Sequence, residues 1–142
     1  MSQDLQWLLL RNNNSFLVKR VPEGPTFSRE PGNLRNLHSH KFSGLANKKT
    51  IDITDTKSGV QITTRKTKAS SHQLASGFTR TTIRPRTGPR RALGVVAGYA
   101  GRRYRPDLRT AALARVSALI AAQKEPKAQP PRKLRGKKTK LA

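Results

Sequence analysis

The 142-residue chain carries 30 Lys and Arg against seven Asp and Glu, a formal net charge of +23, and it contains no cysteine. The missing cysteines exclude disulfides and cysteine-ligated zinc or iron–sulfur sites. Positive charge on this scale opposes compaction of an isolated chain and is typical of proteins that bind nucleic acid.

The first twenty residues contain two apolar blocks separated by a polar turn. Ser2 is placed to cap a short helix that ends at Leu10, with Asp4 in its first turn. Periodicity alone fits a buried strand equally well, so both alternatives stay open at this point. The second block, Ser15–Arg20, predicts a strand.

The clearest strand signal follows a stretch rich in Pro and Gly. Residues 22–33 predict a loop, and Asn33–His40 predicts one or two helical turns. Lys49–Lys66 predicts a β-hairpin with a turn at Asp55–Gly59, because apolar and polar residues alternate on both sides of that turn. The apolar face of the hairpin would consist of Ile51, Ile53, Val60 and Ile62.

The C-terminal half predicts one more strand and two helices. Phe78–Ile83 predicts a strand, and Pro89 suits the first turn of a helix that reaches about Ala100, although Gly94 and Gly98 weigh against it. Pro106–Gln123 is the strongest helix. Its apolar stripe consists of Leu108, Ala112, Leu113, Val116, Leu119 and Ile120, and its opposite flank carries only small residues.

These elements predict an α+β fold, with a small antiparallel sheet, a few helices, extended basic loops and a basic C-terminal tail. We expect residues 1–124 to form the domain and residues 125–142, rich in Pro and Lys, to form the tail. The longest apolar runs are far too short to span a membrane. No dimerisation heptads are present, so no homo-oligomer is expected.

The residues that enzymes use for chemistry are sparse. Asp52 and Asp55 are close in sequence, but their hairpin position suggests turn formation rather than catalysis. His38 and His40 have a spacing that suits a metal on a strand, but the chain offers no cysteine or convergent carboxylate to complete the site. Stacking on RNA or simple exposure is the favoured role of these histidines. No catalytic residue, metal or cofactor is therefore expected.

Basic residues form three clusters, in which the candidate RNA-binding residues lie. The first occupies a bend rich in Pro and Gly and consists of Arg80, Arg84, Arg86, Arg90 and Arg91. The second lies at the entrance of the best helix and consists of Arg102, Arg103, Tyr104, Arg105 and Arg109, where tyrosine adds possible stacking on bases. The third lies in the tail and consists of Arg132, Lys133, Arg135, Lys137 and Lys138. Nuclear targeting or solubility explains the third cluster equally well.

Charge does not by itself distinguish RNA from DNA. The chain shows no dimerisation heptads, zinc finger or compelling helix-turn-helix, which are common DNA-binding devices, and this favours RNA. A DNA-packaging or membrane-active cationic protein remains a rival interpretation, and an enzyme remains a distant one.

Four segments carry a specific combination of residues. They are Leu5–Arg20 (LQWLLLRNNNSFLVKR), Phe27–Ile53, Thr79–Pro85 (TRTTIRP) and Tyr104–Lys124 (YRPDLRTAALARVSALIAAQK). In order and spacing they resemble the eukaryotic large-subunit ribosomal protein family L-twenty-eight-e. The likeness covers most of residues 5–124.

The resemblance implies a mixed α and β domain on the outer part of the large subunit, which contacts ribosomal RNA (rRNA) and catalyses no reaction. By position it carries over Arg80 and Arg84 in the bend, and Arg105 and Arg109 at the helix entrance. The expected partners are large-subunit rRNA and neighbouring large-subunit proteins. The expected location is the cytoplasmic ribosome, with nuclear and nucleolar passage during assembly. A nuclear ribosome-assembly or RNA-processing factor is the alternative.

Overall fold

The computed structural model of the chain describes residues 2–70, 72–101, 103–124 and 128. Within them lie three α-helices and two small antiparallel sheets, which confirms the predicted α+β fold. The elements in chain order are α1 (Gln3–Leu10), β1 (Leu17–Lys19), β2 (Thr26–Ser28), β3 (Ile51–Thr56), β4 (Gly59–Arg65), β5 (Phe78–Ile83), α2 (Pro89–Tyr99) and α3 (Arg109–Gln123). Short 3-10 helices occupy His40–Phe42 and Pro106–Leu108.

The N-terminal helix forms as one of the two alternatives predicted. The Ser2 hydroxyl accepts a hydrogen bond from the Leu5 backbone N–H at 3.2 Å. Asp4 lies in the first turn, where a negative charge favours the positive end of the helix dipole. The helix is thereby confirmed and the buried strand excluded. No residue of α1 is fully buried, so the helix lies on the surface of the domain.

The predicted loop over residues 22–33 is wrong at its centre. Thr26–Ser28 forms β2, which pairs antiparallel with β1 in the register Leu17 to Ser28. Three residues are too few to show an alternating pattern, and the flanking prolines hide the strand in the sequence. The predicted strand within Ser15–Arg20 is confirmed as β1.

The helical turns predicted at Asn33–His40 are also wrong for most of that range. The only helical residues there begin at His40, in the 3-10 helix that ends at Phe42. Upstream, Leu37 forms an isolated bridge with Phe27, and Asn36 adopts a left-handed backbone with φ 56°. A residue in that conformation interrupts a right-handed helix.

The three-stranded sheet has the order β3-β4-β5 and confirms the predicted hairpin and third strand. The turn is shorter than expected, because β3 continues to Thr56 and β4 begins at Gly59. Gly59 has a φ of +126°, and a Cβ at this position would collide with the Ile83 carbonyl oxygen. Asp52 and Asp55 consequently lie in β3, so their predicted role in the turn is wrong.

One face of this sheet carries the core. Helix α3 contacts β3 and β4, and α2 packs against α3. The buried core cluster consists of Leu34, Ile51, Ile53, Val60, Ile62, Ile83, Ala92, Val96, Ala100, Leu108, Ala112, Val116 and Ile120. Leu113 and Leu119 pack against it, so the predicted apolar stripe of the last helix is confirmed. None of the helices in the described residues is long and apolar enough to cross a membrane.

Helix α2 forms despite its glycines and confirms the predicted helix from Pro89. Gly94 and Gly98 point away from the core, and an added Cβ at either position would have no neighbour within 4 Å among the described residues. Interior glycine disfavours a helix by about 1 kcal/mol relative to alanine. The described part of the domain gives no internal steric reason for these two residues.

Candidate nucleic-acid interface

The bend between β5 and α2 presents four of the five arginines of the first cluster. The Thr87 N–H donates to the Arg84 carbonyl at 2.9 Å, which closes a turn with Pro85 at its second position. These four arginines are Arg84, Arg86, Arg90 and Arg91, and all of their side chains are exposed. The turn and the first turn of α2 thus bring four cations together on a fixed backbone.

The start of α2 adds a second attraction for anions at this bend. Its first residue is Pro89, no side chain caps its N-terminal N–H groups, and no acidic residue lies in its first turn. Uncapped N–H groups at the positive end of a helix dipole favour a phosphate. Arg90 and Arg91 lie in this first turn and reinforce that preference.

Arg80, the fifth member of the first cluster, lies elsewhere. It sits on β5 opposite Thr63, on the sheet face that points away from the core. Asp52 lies opposite the same threonine from the β3 side. Arg80 is exposed, and it belongs to the outer sheet face together with Arg65, whose guanidinium carbon lies 5.8 Å from the Phe78 ring centre.

The second cluster divides into exposed and internal residues. Arg103 and Arg109 are exposed. Arg105 instead grips Asp107 through two hydrogen bonds of 2.8 and 2.7 Å. It also donates to the Lys49 carbonyl at 3.1 Å and to the Lys41 carbonyl at 2.8 Å. Only 15% of its side chain is exposed, so Arg105 fastens the helix entrance to two points of the loop before β3.

The ion pair between Arg105 and Asp107 makes the stability of the domain depend on pH under acidic conditions. The hydrogen bonds from Arg105 hold the pKa of the Asp107 carboxyl below its ordinary value of 3.8, despite partial desolvation. Folding therefore favours the ionised carboxylate. This contribution to stability is fully present above pH 3.8 and is lost as the pH falls through the lowered pKa.

Tyr104 is also internal. Its hydroxyl lies 3.0 Å from the Thr50 carbonyl oxygen and 2.6 Å from the Arg65 carbonyl oxygen, so it joins the start of β3 to the end of β4. Burial raises the pKa of this phenol above 10.0, although both carbonyls and the nearby arginines oppose the shift. Tyr99 is bonded within the fold as well, to Thr81 at 2.7 Å. The tyrosines among the arginines therefore serve the domain itself, a role that the sequence did not reveal.

The remaining predicted residues lie outside the described part of the chain. They are Arg102, Arg132, Lys133, Arg135, Lys137 and Lys138. The exposed predicted residues that the structure describes are therefore Arg80, Arg84, Arg86, Arg90, Arg91, Arg103 and Arg109.

The histidines near the N-terminus pack within the protein. The Trp7 ring lies 4.8 Å from the His38 ring and 5.7 Å from the His40 ring, and His38 Nε2 lies 2.8 Å from the Arg11 carbonyl oxygen. The two residues thus attach α1 to the loop after β2. Their stacking on RNA stays a prediction, and 37% of the His40 side chain is exposed. No group of three or more potential metal ligands occurs among the described residues.

Two exposed cations outside all three predicted clusters lie near the same aromatic ring. Arg35 and Lys41 both approach the Phe42 ring, at 5.8 and 5.5 Å from its centre. They belong to different turns of the loop before β3, so no run of basic residues marks them in the sequence. The only available signal was their position within the Phe27–Ile53 segment that carries the family resemblance.

Comparison with known proteins gives consistent matches. The model of the Ribosomal L28e protein family matches residues 5–122. The large ribosomal subunit protein eL28 of Dictyostelium discoideum is 39% identical over 130 residues, which cover 87% of this chain and 93% of that protein. The protein of the same name from Schizosaccharomyces pombe is 37% identical, with 89% of this chain and 96% of that protein covered. That of Caenorhabditis elegans is 43% identical over 68 residues, which cover 48% of this chain and 54% of that protein.

Proposed function

The chain belongs to the ribosomal L28e protein family, and on that premise we propose that it is a structural constituent of the large ribosomal subunit. In this role it binds and braces rRNA through contacts between arginine or lysine and phosphate. Its partners are large-subunit rRNA and neighbouring large-subunit proteins. It works in the cytoplasmic ribosome after nuclear assembly, and it catalyses no reaction.

One observation carries the rRNA-binding part of this proposal. In the described part of the chain, Arg105 is the one arginine in an ion pair with a carboxylate. The exposed arginines of the bend and Arg103 and Arg109 have no such partner there. Unneutralised guanidinium groups bind phosphate strongly, because their planar fork donates two parallel hydrogen bonds.

The arrangement of these arginines supports positioning rather than sequence recognition. Arg84, Arg86, Arg90 and Arg91 project from a closed turn and from the first turn of a helix, so little backbone entropy is lost when they bind. Phosphate contacts fix the register of a protein on RNA but carry no sequence information themselves. Phosphate contacts are sufficient for a protein that stabilises rRNA segments without recognising their sequence.

We also propose a division of labour along the chain. Residues 1–124 form the rRNA-binding domain, a division supported by the core cluster of the described residues, which extends from Leu34 to Ile120. Residues 125–142 form a basic tail, whose lysines and arginines neutralise further phosphates.

The test of this function is the distribution of the tagged chain in a sucrose gradient of cell lysate, before and after a high-salt wash. We expect the chain to sediment with large subunits, single ribosomes and polysomes, and to remain there after the wash. Confinement to nuclear precursor particles would instead identify an assembly factor. Absence from every ribosomal fraction would refute both functions.

A further inference from the structure

A groove of about 630 Å³ runs between α3 and the loop that contains the 3-10 helix His40–Phe42. Arg115 and Leu119 also line its α3 side, whose floor carries the small side chains Thr110, Ala114 and Ala118. These residues follow one another at intervals of four on a single helix face, so the floor is about 12 Å long. Arg35, Lys41 and Phe42 form the opposite wall.

The wall has an unbalanced charge. The Arg35 guanidinium and the Lys41 ammonium both lie within 6 Å of the Phe42 ring centre, at 5.8 and 5.5 Å. The Phe42 ring attracts both cations. No carboxylate is found among the described residues that line the groove. An anion in the groove would therefore meet the positive charges of Arg35 and Lys41 and no described carboxylate.

The loop that holds these cations is built rigidly. The buried Glu30 carboxylate accepts a hydrogen bond from Asn33 Nδ2 and another from Ser43 Oγ, each at 3.1 Å. A Cβ on Gly44 would collide with the Pro31 carbonyl oxygen, so two backbone segments cross there in close contact. These contacts fix the backbone of the loop from which Arg35 and Lys41 project.

The groove is continuous with the second arginine cluster. Arg105 donates to the Lys41 carbonyl at 2.8 Å, which fastens the wall of the groove to the entrance of α3. The exposed Arg109 directly precedes Thr110, the first residue of the floor. One extended polyanion can thus contact Arg109 and then enter the groove. A short acidic peptide would not account for both contacts.

We infer that this groove binds the sugar–phosphate backbone of large-subunit rRNA. The small side chains of the floor allow the backbone to lie close to α3, and Arg35 and Lys41 bind its phosphates from the wall. The inference rests on the proposed function and adds to it a binding site that contains none of the predicted arginines.

The first test blocks the groove without changing its charge. Ala114→Phe fills the floor, and Ala121→Phe is the matched control, because Ala121 is an exposed alanine of the same helix outside the groove. Affinity of each full chain is measured for rRNA purified from eukaryotic large subunits. We expect about a tenfold loss for Ala114→Phe, an unchanged value for the control, and unchanged thermal unfolding for both.

The second test removes the charge. Replacing both Arg35 and Lys41 with alanine should reduce the magnitude of the slope of log affinity against log salt concentration by about 1.5, since two phosphate contacts are lost. Wild-type affinity and slope in both groove variants would overturn the inference. Normal rRNA binding but failed entry into ribosomes would also overturn it, because a protein would then occupy the groove. If the wild-type chain itself bound without salt dependence, the proposed function would fail instead.

Discussion

Alanine at four positions of the β5–α2 bend should lower the affinity for large-subunit rRNA on the order of a hundredfold at about 0.15 M salt. The four positions are Arg84, Arg86, Arg90 and Arg91. Each is exposed and presented by a fixed turn or by the first turn of α2, so each is expected to contact one phosphate. Four lost contacts should reduce the slope of log affinity against log salt by about three.

The control for this variant removes the same charge from another surface. Lys19, Arg20, Arg29 and Lys48 are exposed, and their replacement by alanine leaves the same net charge as the bend variant. If binding depends on the bend, the control should keep most of the affinity and slope. Equal losses in both variants would show that only the total charge matters, and the bend would lose its special role.

Replacing Arg105 with alanine should destabilise the domain by about 2–3 kcal/mol, because it removes one ion pair and leaves carbonyl groups without donors. Four hydrogen bonds from this side chain join the helix entrance to Asp107, Lys41 and Lys49. The loss is measured from urea unfolding at neutral pH. Stability of the variant should also vary less between pH 5 and pH 3 than that of the wild type, because the Asp107 pKa returns toward its ordinary value.

Arg109 is the matched control for Arg105. It lies four residues further on, is exposed, and has no side-chain hydrogen bond among the described residues. Arg109→Ala should change the free energy of unfolding by less than about 0.5 kcal/mol, yet weaken rRNA binding. Equal stability of the two variants would contradict the internal role of Arg105.

The sequence correctly predicted those strands and helices that are marked by a repeated local pattern. The alternation across Lys49–Lys66 placed the hairpin, and the stripe from Leu108 to Ile120 placed the last helix, because each contains several repeats of its period. Ser2 and Pro89 were sufficient to place the starts of α1 and α2. Strand β2 was not predicted, because its three residues are too few to show the alternation of apolar and polar residues.

The interface was harder to predict for a different physical reason. A charge count cannot tell a free arginine from one that is already bonded. Arg105 reaches carbonyls 56 and 64 residues away in sequence, and Tyr104 bonds a carbonyl 54 residues away. Conversely, Arg35 and Lys41 are isolated in sequence, and only the fold brings both near the Phe42 ring.

The most direct test of the central claim, that exposed arginines of the folded domain bind rRNA, is ultraviolet crosslinking of intact ribosomes followed by mass spectrometry of peptides from this chain. We predict peptides with attached nucleotides at the bend from Arg84 to Arg91 and at the helix entrance from Arg103 to Arg109. Crosslinks confined to residues 125–142, or none in the chain, would contradict the account, since the domain would then be held in the subunit by other means.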